Sequence, residues 1–158
     1  MIRSFVIGAG ALALIGLSSA APAQQVKQGT AAEARAMLQK TIAAVKADKA
    51  KALEMISKGQ GGFLDGDLYP FCFNNTDGKI HPFPNPNSRA LFGTDERKVK
   101  DAAGKNFGQE VFDAAQKPEG QISEISYLYP KPGDSKPSPK VSFVTRIGDL
   151  GCGVGYYK

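Results

Sequence analysis

The first 23 residues most constrain the fold, because they contain the three parts of a secretory signal peptide in order. Arg3 supplies a positive charge, and an almost unbroken apolar run extends from Phe5 to Leu17. The segment Ala21–Ala23 then offers small residues to a signal peptidase, which predicts a mature chain beginning at Gln24. We therefore expect one domain at residues 24–158, in a periplasmic or secreted location where disulfides form.

A retained membrane anchor is the alternative interpretation of this segment. A spanning helix needs about 20 consecutive apolar residues, and this run is shorter and ends at a cleavage-like site. No cysteine lies at the cleavage point, so a lipid anchor has no support, and no later segment approaches spanning length. We expect no stable membrane anchor after cleavage.

The net charge of the chain is a modest +5 at pH 7, and the lysines that contribute to it are spread along the sequence. Basic surfaces that bind nucleic acid are denser and contain interleaved aromatic residues. Nucleic acid is therefore not an expected partner, and the charge favours solubility with a mild preference for anions.

The two cysteines, Cys72 and Cys152, form an even set in a compartment that permits disulfides. A bridge between them would close an 80-residue loop and stabilise the fold by about 4–5 kcal/mol. Metal binding is the weaker alternative, because His81 is the sole histidine and no CxxC motif is present. A redox pair is weaker still, since both cysteines lie in apolar, strand-like runs.

A long amphipathic helix is predicted at the start of the mature chain. Thr30 and Glu33 form a capping box, and Gly59 follows the last helical residue, Lys58. Its apolar positions recur at helical spacing and its lysines lie opposite, which is typical of a helix packed on a core. A membrane-surface or partner-binding helix is the alternative. The apolar stripe is Met37, Leu38, Ile42, Val45, Leu53 and Ile56.

The remaining elements predict an α+β fold, with the long N-terminal helix packed on a five-stranded, mostly antiparallel sheet. A helical insert separates the second and third strands. The predicted elements are the strands Tyr69–Asn74 and Lys79–Phe83, helical turns at Arg89–Phe92, a helix at Asn106–Gln116, and the strands Gln121–Tyr129, Lys140–Ile147 and Leu150–Tyr157.

Several short segments, in a fixed order, carry a family resemblance. They are Tyr69–Phe73, Asp77–Gly78, Ile80–Pro82, Asn85–Pro86, Gly93, Asp101–Gly104 ahead of Phe107, Tyr127–Gly133, Pro139–Val144 and Val154–Tyr157. Together they resemble the single Cache domains of bacterial extracytoplasmic sensors, over roughly residues 30–158. The chain departs from that family where Leu128 and Cys152 lie near the places of its usual tryptophans.

The resemblance implies that the first and last strands lie side by side at the sheet centre. This would bring Cys72 and Cys152 together, in agreement with the bridge that the even cysteine count favours. It also implies a pocket between one sheet face and the helical insert, of the kind that holds small carboxylates or amine-containing metabolites.

The candidate ligand-binding residues are chosen for this pocket. Strand alternation places Tyr127 and Tyr129 on one face, and we expect Tyr127, Lys140 and His81 to converge on a small organic anion. For Lys140, a solvated residue at the strand start is an equal alternative. For Tyr127 and Tyr129, a core role with the hydroxyl at the edge is slightly favoured over ligand contact, and Phe71 is favoured as a core residue. The complete candidate set is His81, Tyr127, Tyr129, Lys140, Ser142 and Phe71.

Enzymatic function is not expected. The sequence has no GxSxG motif and no Gly-rich phosphate loop, and any catalytic triad would have to use His81. The ligands for a zinc site are missing, so neither a metal nor a cofactor is predicted. The sequence favours a sensor-type binding protein that acts in trans on a membrane receptor, kinase or transporter. The alternative is an envelope interaction protein that retains the fold without binding a ligand.

Overall fold

The computed structural model describes residues 26–158, and the predicted signal peptide lies outside the described residues. Two helices are followed by a strand, a helical insert and three more strands. We define the insert as residues 79–115; it includes two short 3-10 helices, Pro86–Leu91 and Glu96–Lys98. The elements are α1 (Ala31–Ala47), α2 (Lys49–Lys58), β1 (Pro70–Asn74), α3 (Phe107–Ala115), β2 (Ser123–Pro130), β3 (Pro137–Ile147) and β4 (Leu150–Tyr157).

The predicted long helix is two helices, because the chain is extended at Asp48 (φ −159°, ψ 97°). The Asp48 side chain accepts a hydrogen bond from the backbone N–H of Lys51 at 3.0 Å, so it caps α2. Short polar side chains such as Asp compete for backbone donors and favour caps over helix interiors. The capping box of Thr30 and Glu33 is present, and α2 ends at Gly59 with a positive φ of 63°.

The sheet has the strand order β1-β4-β3-β2, and each pair of neighbouring strands is antiparallel. The structure confirms an α+β fold with an antiparallel sheet, but the sheet has four strands in the described residues instead of five. The expected strand Lys79–Phe83 makes only isolated bridges, one of them between Phe73 and Ile80. Pro82 and Pro84 cannot donate ladder hydrogen bonds, and Ile80 instead bonds to Thr94, 3.0 Å away.

The disulfide between Cys72 and Cys152 is confirmed. The two residues lie directly opposite each other on β1 and β4, with their Cα atoms 4.1 Å apart. Both are buried, so the bond fastens the two neighbouring strands inside the core.

The two faces of the sheet are covered differently. The helix face, which packs on α1, is apolar; a core cluster on this side contains Leu38, Phe143 and Val154. The insert face lies on the opposite side, and there β4 presents three glycines at alternate positions. A Cβ atom on Gly155 would collide with the Lys140 side chain, and one on Gly151 with the Phe73 ring. The glycines therefore leave room for large side chains from other strands.

Candidate functional site

A small cavity lies between the insert face and the insert. About 30 Å³ of it is open to the centres of water molecules, which is room for about two waters. Its wall is mostly aromatic and aliphatic, and two ionisable side chains interrupt it. The lining residues are Tyr69, Phe71, Ile80, Phe83, Leu91, Glu96, Val99, Phe107, Tyr127, Tyr129 and Lys140.

Lys140 is the cation of this cavity, and its side chain is 2% exposed. Its Nζ atom donates a hydrogen bond to the Tyr69 hydroxyl at 2.9 Å. It also lies 4.3 Å from the ring centroid of Tyr69 and 4.7 Å from that of Tyr157. In the described residues, no carboxylate lies within ion-pair distance of it. Burial lowers the pKa of Lys140 to about 7, and the charge of Asp67 opposes that shift only in part.

The register of β3 explains why this lysine is buried. Lys140 is paired with Tyr127 on one side and with Tyr157 on the other. Gly155, which is also on the insert face, has no side chain to occupy the path of the lysine stem. The solvated strand-start alternative for Lys140 is therefore wrong.

Apart from the bond between Lys140 and Tyr69, the tyrosine hydroxyls around the amine have neutral hydrogen-bond partners. The hydroxyls of Tyr127 and Ser142 lie 2.7 Å apart, and the Tyr69 hydroxyl accepts a bond from Asn85 Nδ2 at 2.7 Å. Tyr129 lies 2.6 Å from the Ser88 hydroxyl. Burial raises the pKa of Tyr69 to about 12, so its hydroxyl stays neutral at physiological pH and brings no charge to the lysine.

Five of the six candidate residues are brought together. Phe71, Tyr127, Tyr129 and Lys140 line the cavity, and Ser142 lies behind Tyr127 as its hydrogen-bond partner. That these residues contact a ligand remains a prediction.

His81 is not among the lining residues, so the expected convergence of His81 with Lys140 does not occur. Its Nε2 atom lies 2.9 Å from Asn74 Oδ1. Burial lowers the pKa of His81, and the nearby charge of Lys49 lowers it further. The neighbouring Ile80 is the residue that faces the cavity, and in extended backbone the next side chain points the opposite way.

Glu96 is the ionisable cavity residue that the candidate set lacks, and Tyr69, the hydrogen-bond partner of Lys140, is also missing from that set. The Glu96 side chain is 5% exposed, although it stands in the charged run Asp95–Lys98, which is typical of a solvated surface. Burial raises the pKa of Glu96 to about 8, and the neighbouring charge of Asp95 contributes. The alternating glycines of β4 were the sequence signal for space on this face, but nothing local marked Glu96.

Two wider features of the described residues bear on function. No group of histidine, cysteine, aspartate and glutamate side chains in residues 26–158 is arranged to hold a metal ion. Within the same residues, no helix combines the length and apolar character needed to cross a membrane.

Comparisons with known proteins agree with this architecture. The chemotaxis protein of the methyl-accepting class from Vibrio parahaemolyticus RIMD 2210633 is 21% identical, with a TM-score of 0.61 over 80% of this chain and 86% of that one. A periplasmic sensor domain of a chemotaxis protein is 24% identical, with a TM-score of 0.59 over 80% and 88% of the two chains. A Cache chemosensory domain, described for its carboxylic acid recognition, is 21% identical, with a TM-score of 0.56 over 80% and 86%.

At these identities the solved structures show the fold alone, which is that of Cache sensor domains. No curated protein matches the chain. The family model for Single Cache domain 2 matches residues 19–157, nearly the whole sequence. The chain therefore belongs to the single Cache domain 2 family.

Proposed function

We propose that this protein binds a small organic anion of the carboxylic acid class in the cavity under the insert, with Lys140 as its charged contact. The observation that carries the proposal is the environment of that amine. Lys140 is buried and lies beside three tyrosine rings, and no carboxylate in the described residues pairs with it.

The hydrogen-bonding capacity of Lys140 supports this ligand class. An ammonium group has three N–H donors, and in the described residues one of them has a partner, the Tyr69 hydroxyl. A buried charge without a counter-charge is costly. A carboxylate that entered the cavity would supply the missing charge and accept a strong, charge-assisted hydrogen bond.

The size of the cavity limits the ligand to a short acid. Its free space of about 30 Å³ is lined largely by apolar side chains such as Phe71, Phe83 and Leu91. A ligand larger than two water molecules requires these side chains to move apart. One of the structurally similar Cache domains is described for its recognition of carboxylic acids, which supports the same ligand class here.

We further propose a location and a route of action. After removal of residues 1–23 the protein would be periplasmic and would signal in trans, by presenting its bound state to a membrane receptor, kinase or transporter. The periplasmic sensor domain among the similar structures supports this placement. Cache sensor domains are generally non-enzymatic, and we propose no catalytic role for the cavity.

An envelope interaction protein that keeps the fold without a ligand is the second candidate. The observation that favours it is the small free volume of the cavity, which the protein's own side chains nearly fill. The two candidates differ in whether any small acid stabilises the folded protein.

A melting-temperature screen of the mature protein against formate, acetate, propionate and butyrate at pH 6 tests the proposal. At least one acid should raise the melting temperature, because a ligand that prefers the folded state stabilises it by mass action. Lys140→Met should weaken that acid at least tenfold, about 1.4 kcal/mol. Lys136→Met, the same change at an exposed lysine four positions away, should bind as the wild type does.

If no acid shifts the melting temperature, ligand binding is contradicted and the interaction protein is favoured. In that case the lysine-rich surface of α1 and α2 is the first surface to test. If an acid binds equally well to the Lys140→Met variant, binding exists but the assigned site is wrong.

A further inference from the structure

The backbone of Glu96 is fixed on both sides. Its N–H donates to the Gly78 carbonyl at 2.8 Å, and its own carbonyl accepts from Val99 at 3.0 Å. Gly108 of α3 packs against the same carbonyl so closely that a Cβ atom there would collide with it. The side chain of Glu96 lines the cavity that also contains Lys140. The insert therefore holds this carboxyl group at the wall of the proposed ligand site.

The Glu96 carboxyl group has no hydrogen-bond or ion-pair partner in residues 26–158. Lys140 is not within ion-pair distance of it, and Arg97 pairs with Asp95 at 2.7 Å. Its oxygens are not among the fully buried side-chain atoms without a partner, which in the described residues are those of Asn75. They therefore border the free space of the cavity, where a ligand can reach them. A ligand in the cavity would therefore give the Glu96 carboxyl group its first polar partner.

Burial and the charge of Asp95 favour the neutral form of Glu96, whereas the positively charged groups near it favour ionisation. Its own 3-10 helix is capped by Asp95, whose charge opposes ionisation of Glu96. The same helix contributes the half-buried Arg97, which pairs with Asp95, and the exposed Lys98. The sheet contributes Tyr127 and Tyr129 from β2 and Lys140 from β3. The acidic residues of α3 are engaged outside the cavity: Glu110 pairs with Lys105, and Asp113 accepts from Gln109.

We propose that Glu96 is a second ligand contact of this cavity, which in its protonated form donates a hydrogen bond to a bound carboxylic acid anion. Binding is then coupled to protons at two positions, the ammonium of Lys140 and the carboxyl of Glu96. Ionised Glu96 would repel the anion, and neutral Lys140 would no longer attract it. This inference rests on the proposed function and adds to it a residue and a proton dependence.

The two positions predict a specific pH dependence. With Lys140 titrating at about 7 and Glu96 at about 8 in the free protein, both have mostly lost their protons at pH 8.5. A ligand that needs both protons must restore them, so it binds more weakly as the pH rises. If binding requires one proton, Kd rises by at most tenfold per pH unit. If it requires the protons of both Lys140 and Glu96, Kd should rise about 25-fold between pH 7.5 and 8.5.

Titration calorimetry with propionate at pH 7.5 and 8.5, in two buffers of different ionisation enthalpy, counts the protons taken up. The wild-type protein should take up more than one proton per propionate at pH 8.5, and its Kd should rise by more than tenfold between the two pH values. Glu96→Gln keeps the size and the neutral donor, so it should take up no more than one proton, with a change in Kd below tenfold. Glu110→Gln, an exposed carboxylate on α3, should behave as the wild type does.

The outcomes separate the two proposals. If the wild type does not bind propionate, or any other acid of the screen, at pH 6, the proposed function fails. If an acid binds and the wild type takes up one proton or fewer at pH 8.5, only the role of Glu96 is overturned. The proton count of the wild type decides this even if Glu96→Gln does not fold. Equal proton uptake by wild type and Glu96→Gln would overturn the role of Glu96 as well.

Discussion

The two faces of the sheet differ in what they bury. The helix face is closed by apolar side chains from α1 and the sheet, and by the disulfide between Cys72 and Cys152. The insert face buries a lysine and a glutamate, neither of which forms an ion pair in the described residues. Apolar burial and cross-links stabilise a fold, whereas unpaired buried charges destabilise it. The difference agrees with the proposal that one face maintains the fold while the other binds a ligand.

Single strands carry both kinds of surface. On β3, Ser142 belongs to the insert face and its neighbour Phe143 to the helix face, because successive side chains of a strand alternate. On β4, Cys152 lies on the helix face between Gly151 and Gly153 on the insert face. The effect of a substitution should therefore depend on the face that the side chain belongs to. Four tests of the comparison follow, two on each face.

The largest expected effect is loss of the disulfide. The double substitution Cys72→Ala and Cys152→Ala should lower the free energy of unfolding by about 4 kcal/mol, because it frees an 80-residue loop in the unfolded chain. Urea denaturation of the oxidised wild type and the double variant measures this difference. A loss below about 1 kcal/mol would show that the helix face does not depend on the cross-link.

Truncation of the helix-face core should come next. Phe143→Ala should cost about 3–4 kcal/mol, since the buried ring leaves a cavity between α1 and the sheet. Leu64→Ala removes a large side chain that is 42% exposed and should change the free energy of unfolding by less than about 1 kcal/mol. Similar losses in the two variants would contradict the assignment of this core.

A substitution on the insert face should act in the opposite direction. Lys140→Met should raise the free energy of unfolding by about 2–3 kcal/mol below pH 7, because it removes a buried ammonium. The pKa of Lys140 is about 7 in the folded protein, against an ordinary 10.5. Between pH 7 and pH 10.5 the unfolded chain therefore binds more protons than the folded one. The stability of the wild type rises with pH in this range, and the advantage of Lys140→Met shrinks.

Denaturation of the wild type, Lys140→Met and Lys136→Met at pH 6 and pH 9.5 measures this trend. The exposed Lys136 should show no such gain at either pH. A loss of stability in Lys140→Met at pH 6 would mean that the amine has a compensating role in the fold.

Glu96→Gln should give a smaller gain with the reverse pH dependence. The pKa of Glu96 is raised to about 8 in the folded protein from an ordinary 4.5, so the folded state binds more protons between these values. Wild-type stability therefore falls as the pH rises from 4.5 to 8, and the variant should gain about 1–2 kcal/mol at pH 7. Denaturation at pH 4.5 and pH 7 tests this, with Glu110→Gln as an exposed control. A gain that is equal at both pH values would contradict burial of an ionisable carboxyl group at this position.

Local signals predicted much of the fold. The capping box at Thr30, the order of the main elements and the bridge between Cys72 and Cys152 follow from residues that are close in sequence or from the family resemblance. The break at Asp48 and the missing strand at Lys79–Phe83 were not predicted. Both depend on where backbone hydrogen bonds find partners, and for Ile80 the partner is Thr94, fourteen positions away.

The site was predicted in part, for a related reason. Alternation placed Tyr127 and Tyr129 on one face of their strand, because strand geometry is regular. The pocket that the family resemblance implied then added Lys140 to the same site. His81 and Glu96 lie in the irregular insert, where no period fixes the direction of a side chain. Glu96 in particular stands among exposed charges in the sequence, and its burial results from the packing of α3 over its backbone.

The most direct test of the ligand site is an NMR titration of the Lys140 side chain, with the signal assigned by its loss in Lys140→Met. In the free protein the Lys140 amine should titrate near pH 7, well below the exposed lysines. A carboxylic acid that binds at pH 6 should raise that pKa, because the bound anion stabilises the ammonium form. A Lys140 signal that titrates near pH 10.5, or one that a bound acid leaves unchanged, would contradict an anion site at this lysine.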